Sequence, residues 1–334
     1  MGEDFNMTTM IWRSRRTGVA CALALLIGVP LLAQQQLVDD TFTASVAKPA
    51  YAVRMGPLVA IDEAHDNFHT AGGQYKPLAN LLSADGYRVE PSTRKFDEPI
   101  PANLRVLVVA NARNLTAIRA GDVTQPAFTE RECDALRDWV RGGGALLLVA
   151  DHAPFGSAAA SLGSRFGVTM GKGWTFDPTP GSITTQLDFT HENGLLGAHH
   201  ILRGRSSSEV ITHVRTFTGQ SLGVPAGASI LLRLSPTARD AATPDDLDAE
   251  GMAAIGSDAS ARGKHSTSVA GRAQGLAISF GKGRVVVLGE AALLSAQMLR
   301  YNDGREMKFG MNVPGTDDRQ FALNVFHWLS GVLS

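Results

Sequence analysis

Cysteine is almost missing from this chain: 334 residues contain two, Cys21 and Cys133. Cys21 lies in a segment that reads as a removable leader, so no intrachain disulfide can brace what remains. An excess of either charge is missing too. Lys and Arg number 31 against 32 Asp and Glu, a net charge of -1, which offers no field to draw in nucleic acid or an anionic membrane. Long apolar runs are also lacking. "GVACALALLIGVPLLA" (18–33) is interrupted by Pro30 and falls short of the ~20 apolar residues that a spanning helix needs. HExxH and CxxC, the spacings that most directly announce a zinc or redox site, do not occur.

What is present begins with a leader. Arg13, Arg15 and Arg16 precede the apolar run, which ends on Ala33 and is followed by three glutamines. That is the order of a signal peptide: charged start, apolar middle, small residue near the cut. Residues 1–34 are therefore predicted to be removed, leaving a periplasmic or secreted chain with no transmembrane span. Residues 35–55 lack periodicity and read as a linker, and 56–334 read as one domain. Cys133 shares a helical face with Leu136, Trp139 and Val140 in "FTERECDALRDWVRGGG" (128–144), the place of a buried thiol rather than a nucleophile.

Apolar strands and amphipathic helices then alternate. "PLVAID" (57–62), "YRVEP" (87–91), "RVLVVANA" (105–112) and "ALLLVAD" (145–151) are predicted strands. A helix over 75–86 has Pro77 in its first turn and Gly86 as its stop. Thr129 and Glu132 form a capping box for the next helix. "GLAISFGKGRVVVLGE" (275–290) reads as a hairpin and 316–333 as a closing helix. Residues 237–271, rich in small and acidic residues, read as a mobile loop. Continuous apolar strands between helices predict an α/β domain with a mostly parallel sheet, covered on both faces. In such sheets ligands bind where the strands end.

Reading off those ends gives Asp62, Glu63 and His65 in "LVAIDEAHDNFHTAGG" (58–73), then Asn111, then Asp151 and His152, then Glu290. Two chemistries fit. A divalent metal, the one candidate cofactor, could take Asp62, His65 and Asp151 and activate water. Alternatively Glu63 or Glu290 serves as general base with a histidine, His152 among them, and no metal. Ser157 suits either a nucleophile near His152 or the N-terminus of the helix that follows. His200, Asn312 and Asn111 are candidate substrate contacts, Asn312 from a loop (308–320) able to cover the crevice. His213, His265 and His327 read as structural.

The segments "WVRGGGALLLVADHAPFG" (139–156), "LLGAHHILRG" (195–204) and "GKGRVVVLGEAALLSAQ" (281–297) give the chain a resemblance to the class I glutamine amidotransferase-like superfamily. Its trehalose-utilisation (ThuA-like) branch is the most similar, over about residues 57–330. The resemblance implies a flavodoxin-like three-layer sandwich with an elaborated C-terminal half. It also marks a departure: those enzymes place a nucleophilic cysteine after the strand matching 145–150, where this chain has Asp151 and His152. Glutamine hydrolysis through a thioester is thereby excluded. The expectation is an exported hydrolase of a small ester, amide, lactone or sugar-derived substrate. The alternatives are a non-catalytic periplasmic domain binding a carbohydrate or metabolite, and a scaffold presenting 237–271.

Overall fold

In the computed structural model, the structure describes residues 35–256, 259–300 and 304–334. The predicted signal peptide lies outside them. Among the described residues no helix is long and apolar enough to cross a membrane.

The first half runs β1 (Gln35–Val38), β2 (Leu58–Asp62), α1 (Lys76–Ala84), β3 (Arg88–Ser92), β4 (Leu104–Ala110), α2 (Leu115–Arg119), α3 (Glu130–Arg141), β5 (Ala145–Val149) and α4 (Phe155–Ser164). Local chemistry explains the boundaries. Pro77 sits in the first turn of α1, whose buried side is Pro77, Leu78, Leu81 and Leu82. Gly86 ends it at φ +94, against the carbonyl of Tyr51, where a Cβ would come within 2.3 Å; only glycine fits there. The Thr129–Glu132 capping box starts α3, with Cys133 on its buried face.

The second half continues β6 (Trp174–Thr179), β7 (Ser182–Thr184), β8 (Gln186–Thr190), α5 (His200–Arg203), β9 (His213–Phe217), β10 (Ser229–Arg233), β11 (Arg239–Ala241), α6 (Pro244–Ile255), β12 (Ser266–Ser268), β13 (Ala273–Phe280), β14 (Gly283–Leu288), β15 (Ala296–Arg300), β16 (Glu306–Gly310) and α7 (Asp318–Ser330). The stretch 237–271 is thus not one loop. Thr243 and Asp246 cap α6, Pro244 opens it, and Leu247 and Ala254 are buried under it. Nor are residues 35–55 only a linker, because β1 pairs antiparallel with β15.

A seven-stranded sheet, in the order β10-β13-β14-β5-β4-β2-β3, carries the core. One face packs Val59, Val106, Leu147 and Val286 against α1 and α7; the other packs Leu107, Leu146, Leu148 and Val287 against α3 and α4. Each such side chain contributes roughly 1.5–3 kcal/mol by leaving water.

The predicted mostly parallel, flavodoxin-like sandwich is overturned. β3, β2, β4, β5 and β14 run parallel, but β13 and β10 run antiparallel to their neighbours. Three further sheets, β1-β15-β16, β12-β11-β6-β7 and β8-β9, are antiparallel throughout. The reason lies in what an apolar run encodes. A strand buried on both faces is apolar throughout whichever way its neighbour runs, so composition marks burial and leaves direction open.

Candidate functional site

The five parallel strands end at one edge, and sheet order decides which residues meet there. Glu290, Asp151 and Asn111 follow the adjacent strands β14, β5 and β4, whereas Asp62 ends β2, one strand further out.

Asp62 and His65 come together, but on each other. The His65 ring nitrogens lie 2.9 Å from Asp62 Oδ2 and 2.9 Å from Glu132 Oε1. All three residues are buried, and the imidazole packs on Phe96 and Phe128, with ring centroids 4.3 and 4.8 Å away. Carboxylates that only accept hydrogen bonds require both nitrogens to donate, so His65 has no lone pair for a metal. The proposed set Asp62, His65 and Asp151 therefore does not fit a divalent ion. Among the described residues no group of three or more His, Cys, Asp or Glu side chains is arranged to hold one. Glu63 is also engaged: its Oε1 accepts the Ala71 N–H at 2.9 Å, folding the loop after β2 back on itself.

The second cluster is different. Asn111 sits in the left-handed region at φ +48, an uncommon conformation for a side-chain-bearing residue and one that concentrates at functional sites. Its Oδ1 accepts the Asp151 N–H at 2.9 Å, so its amide nitrogen is the group 3.2 Å from His69 Nδ1. His69 is thereby an acceptor at Nδ1, and burial, with Arg113 adding, holds its pKa down at about 3. It is a neutral ring, tilted at 53° against Tyr75 with the ring centroids 4.6 Å apart. The Tyr75 hydroxyl donates to the Ala291 carbonyl at 3.2 Å, beside Glu290.

Glu290 is 1% exposed. Its two oxygens accept the N–H groups of Ala292 and Leu293 at 2.7 and 2.8 Å. Burial, and then the like charge of Asp151, push its pKa well up despite those bonds. Burial raises Asp151 too, against the pull of His152 and of backbone donors. Two carboxyls that cannot both ionise cheaply retain a proton between them. Asp318, at the start of α7, is the third buried acid nearby; burial lifts its pKa to about 8.

His152 forms the accessible side. Its Nδ1 lies 2.9 Å from the Ala153 carbonyl, which can only accept, so Nδ1 carries a hydrogen, and Nε2 meets no hydrogen-bond partner among the described residues. The ring stacks on Trp174 at 5.1 Å and 19°. Half-buried Asp151 and His152 thus meet solvent at an edge walled by an aromatic ring.

The remaining expected contacts sit elsewhere. Ser157 is half-buried within α4 and does not cap it; Pro154 occupies the cap position. His200 is exposed, and His199 packs edge-on to Trp328 at 5.0 Å. Arg284, at the start of β14, covers that same indole at 5.1 Å, which puts this pair at the sheet edge opposite Glu290. Asn312 donates to Asp39 Oδ2 and the Gln297 carbonyl at 2.8 and 3.0 Å, bracing β1 and β15 rather than covering a crevice. His213 pairs with Asp188, His265 with Asp246 and His327 with Asp85.

Sequence reasoning missed Tyr75, Trp174 and Gln220, whose amide donates to the Ala150 and Asp151 carbonyls at 2.7 and 3.1 Å. It also missed "GQSLG" (219–223), which has the G-x-S-x-G spacing of a nucleophile elbow. That match is accidental in structure. Ser221 is fully buried, donates to Asp240 at 2.6 Å, accepts from Arg272 at 2.7 Å, and leads into no helix.

A family model described as "Domain of unknown function (DUF4350)" matches residues 67–310. The chain belongs to the DUF4350 family. The matched stretch contains His69, Tyr75, Asn111, Asp151, His152 and Glu290, and leaves out Asp62, Glu63 and His65. No curated protein matches. Among solved structures, the mmIFT52 N-terminal domain is 13% identical, with 81% of this chain and 96% of that one covered and a TM-score of 0.51; the likeness is one of fold. A ThuA-like protein from Bacteroides uniformis is 13% identical, over 85% of this chain and 94% of that one, with a TM-score of 0.43. An exo-beta-1,4-mannosidase from Opitutaceae bacterium strain TAV5 is 14% identical, over 71% of this chain and 31% of that one, with a TM-score of 0.34.

Proposed function

We propose that this protein is an exported hydrolase of a small ester, amide, lactone or sugar-derived substrate, working through imidazole and carboxyl groups where β5 and β14 end. We also place it nearest the ThuA-like branch of the amidotransferase-like proteins, on the motifs at 139–156 and 281–297. One observation carries the reading: a histidine with a free Nε2 adjoins a carboxyl pair that holds a proton, all at one partly open edge. His152 Nε2 takes a proton from water as the oxygen attacks the carbonyl or acetal carbon. Asp151 gives a proton to the departing oxygen or nitrogen. Glu290 and Asn111 are positioning residues: the first keeps the pair protonated, and the second holds the Asp151 backbone.

A panel of uncharged chromogenic esters, lactones and glycosides, assayed on the chain from about residue 35, tests this. A substrate turned over by the wild type should be turned over about 10²–10⁴-fold more slowly by His152→Ala and by Asp151→Asn, with melting little changed. Full activity in both variants refutes the assignment. Ligand-induced stabilisation without turnover of any substrate moves the protein to the binding-domain alternative. Export is tested separately, by the N-terminal sequence of the protein recovered outside the cytoplasm.

A further inference from the structure

The even overall charge of the chain is not evenly spread, and the edge where the parallel strands begin, opposite the carboxyl and imidazole groups, carries a surface of its own. The two most exposed large apolar side chains among the described residues, Val53 and Met55, stand here at 80% and 77%. Single exposed apolar side chains are ordinary; these two share one turn, with exposed Arg54 between them.

The turn holds them out. Arg54 sits in the left-handed region at φ +60, a conformation that arginine seldom adopts. The Met55 N–H closes the turn on the Ala52 carbonyl at 2.9 Å. The Tyr51 and Gly56 N–H groups tie its two ends to the Asp85 and Gly86 carbonyls at 3.2 and 2.9 Å. The tip is thus fixed to the end of α1, although at that exposure neither apolar side chain contributes to the core.

Cations continue from the turn across the edge. Tyr51 and Tyr87, edge to face at 5.1 Å, both reach Ser330 at the end of α7. Beside it, a Cβ on Gly331 would lie 3.6 Å from the Arg105 guanidinium. Arg105 donates to the Gly143 carbonyl at 2.7 Å, and a Cβ on Gly143 would lie 3.9 Å from that of Lys282. Arg284 donates to the Trp328 and Leu333 carbonyls; burial, and then the charge of Arg105, push its pKa down. On the other side of the turn, the Lys48 carbonyl accepts from Arg205 at 2.6 Å.

The carboxylates of this edge have cations of their own. Glu209 pairs with Arg205, Asp138 with Arg137 and Arg141, and Asp85 is buried on His327. Glu90 lies two residues along β3 from Arg88. Lys48, Arg54, Arg105, Lys282 and Arg284 have no carboxylate partner among the described residues, and a terminal carboxylate on Ser334 does not cancel them. The excess is therefore one of charge and not only of free donors. A polyanion alone gives no use to the apolar pair, and an apolar partner alone gives none to the cations. An anionic bilayer uses both: its phosphates meet cations while valine and methionine enter among the acyl chains.

We propose that this edge docks the protein on an anionic phospholipid surface, with Val53 and Met55 entering the bilayer and the surrounding cations meeting its phosphates. In that orientation Asp151 and His152 face away from the lipid, toward soluble ligands. The proposal does not depend on the hydrolase reading.

The test is flotation of the chain from about residue 35 with vesicles of phosphatidylcholine, alone or with about 30% phosphatidylglycerol, at low salt. The protein should float with the anionic vesicles only, and added salt should release it. Changing Val53→Ser and Met55→Ser together should weaken binding about tenfold. Lys48→Gln, Arg54→Gln and Lys282→Gln should each weaken it about fivefold. All five side chains are exposed, so the variants should melt like the wild type. Failure to float with anionic vesicles overturns the proposal, and so does binding that the Val53 and Met55 changes leave intact. Capture on heparin without flotation also overturns it, and assigns the edge to a soluble polyanion.

Discussion

Replacing His65 with alanine is the sharpest test of how this edge is built, because the same residue would be expendable for folding if it were a metal ligand. The ring spans two buried carboxylates, Asp62 at the end of β2 and Glu132 in the first turn of α3. Without it, Asp62 keeps the Ala64 N–H at 3.1 Å and Glu132 keeps Thr129. Each carboxylate loses its one cationic partner. Removing one member of a buried ion pair costs about 3–5 kcal/mol, and the rings of Phe96 and Phe128 lose a neighbour besides. At ~0.6 kcal/mol per degree for a chain of this length, a loss near 4 kcal/mol lowers Tm by about 6 °C. Urea unfolding should show the midpoint falling with its slope unchanged. A loss below ~1 kcal/mol would refute the buried bridge. So would a stoichiometric metal in the wild type that His65→Ala releases without destabilising the fold.

The same bridge has a pH signature. Burial opposes ionisation of Glu132, yet the bonds from His65 and Thr129 bring its pKa from 4.5 down to about 2. A depressed folded pKa contributes stability above pH 4.5 that is lost as pH falls toward 2; acid titration of His65→Ala should lack much of that loss. Asp318 works the other way. Its pKa rises from 3.8 to about 8, so the folded state binds the extra proton and stability declines as pH rises through that window. Asp318→Asn should flatten that decline, and an unchanged slope in chemical denaturation between pH 4 and 8 would remove the residue from the account. Cys133 is buried, and burial raises its thiol pKa; it should react with an aromatic disulfide reagent only after unfolding, and rapid labelling of the native chain would show the α3 face to be open.

Much of this was legible in the sequence, for identifiable reasons. Pro77, the Thr129–Glu132 box and the hairpin around Gly281 act within a few residues of themselves, so their patterns carry the local structure with them. The 237–271 stretch was misread because its helix is rich in small and acidic residues, and the Thr243–Asp246 cap was passed over. His200 was a candidate as one of two adjacent histidines, a pattern that says nothing about which sheet edge a short helix faces.

Residue order alone determined where the apolar core strands β2, β4, β5, β13 and β14 lie, and that Asp62, His65, Asn111, Asp151, His152 and Glu290 stand at strand ends. Tertiary structure decided everything about pairing. Strand order set Asp151 beside Glu290 and sent Asp62 to the far side, where α3 brings Glu132 to close on His65. Strand direction was decided the same way, since a fully buried apolar run satisfies its core whichever way its neighbour points. Side-chain chemistry is local, whereas the partner that completes a charge comes from wherever the fold delivers it.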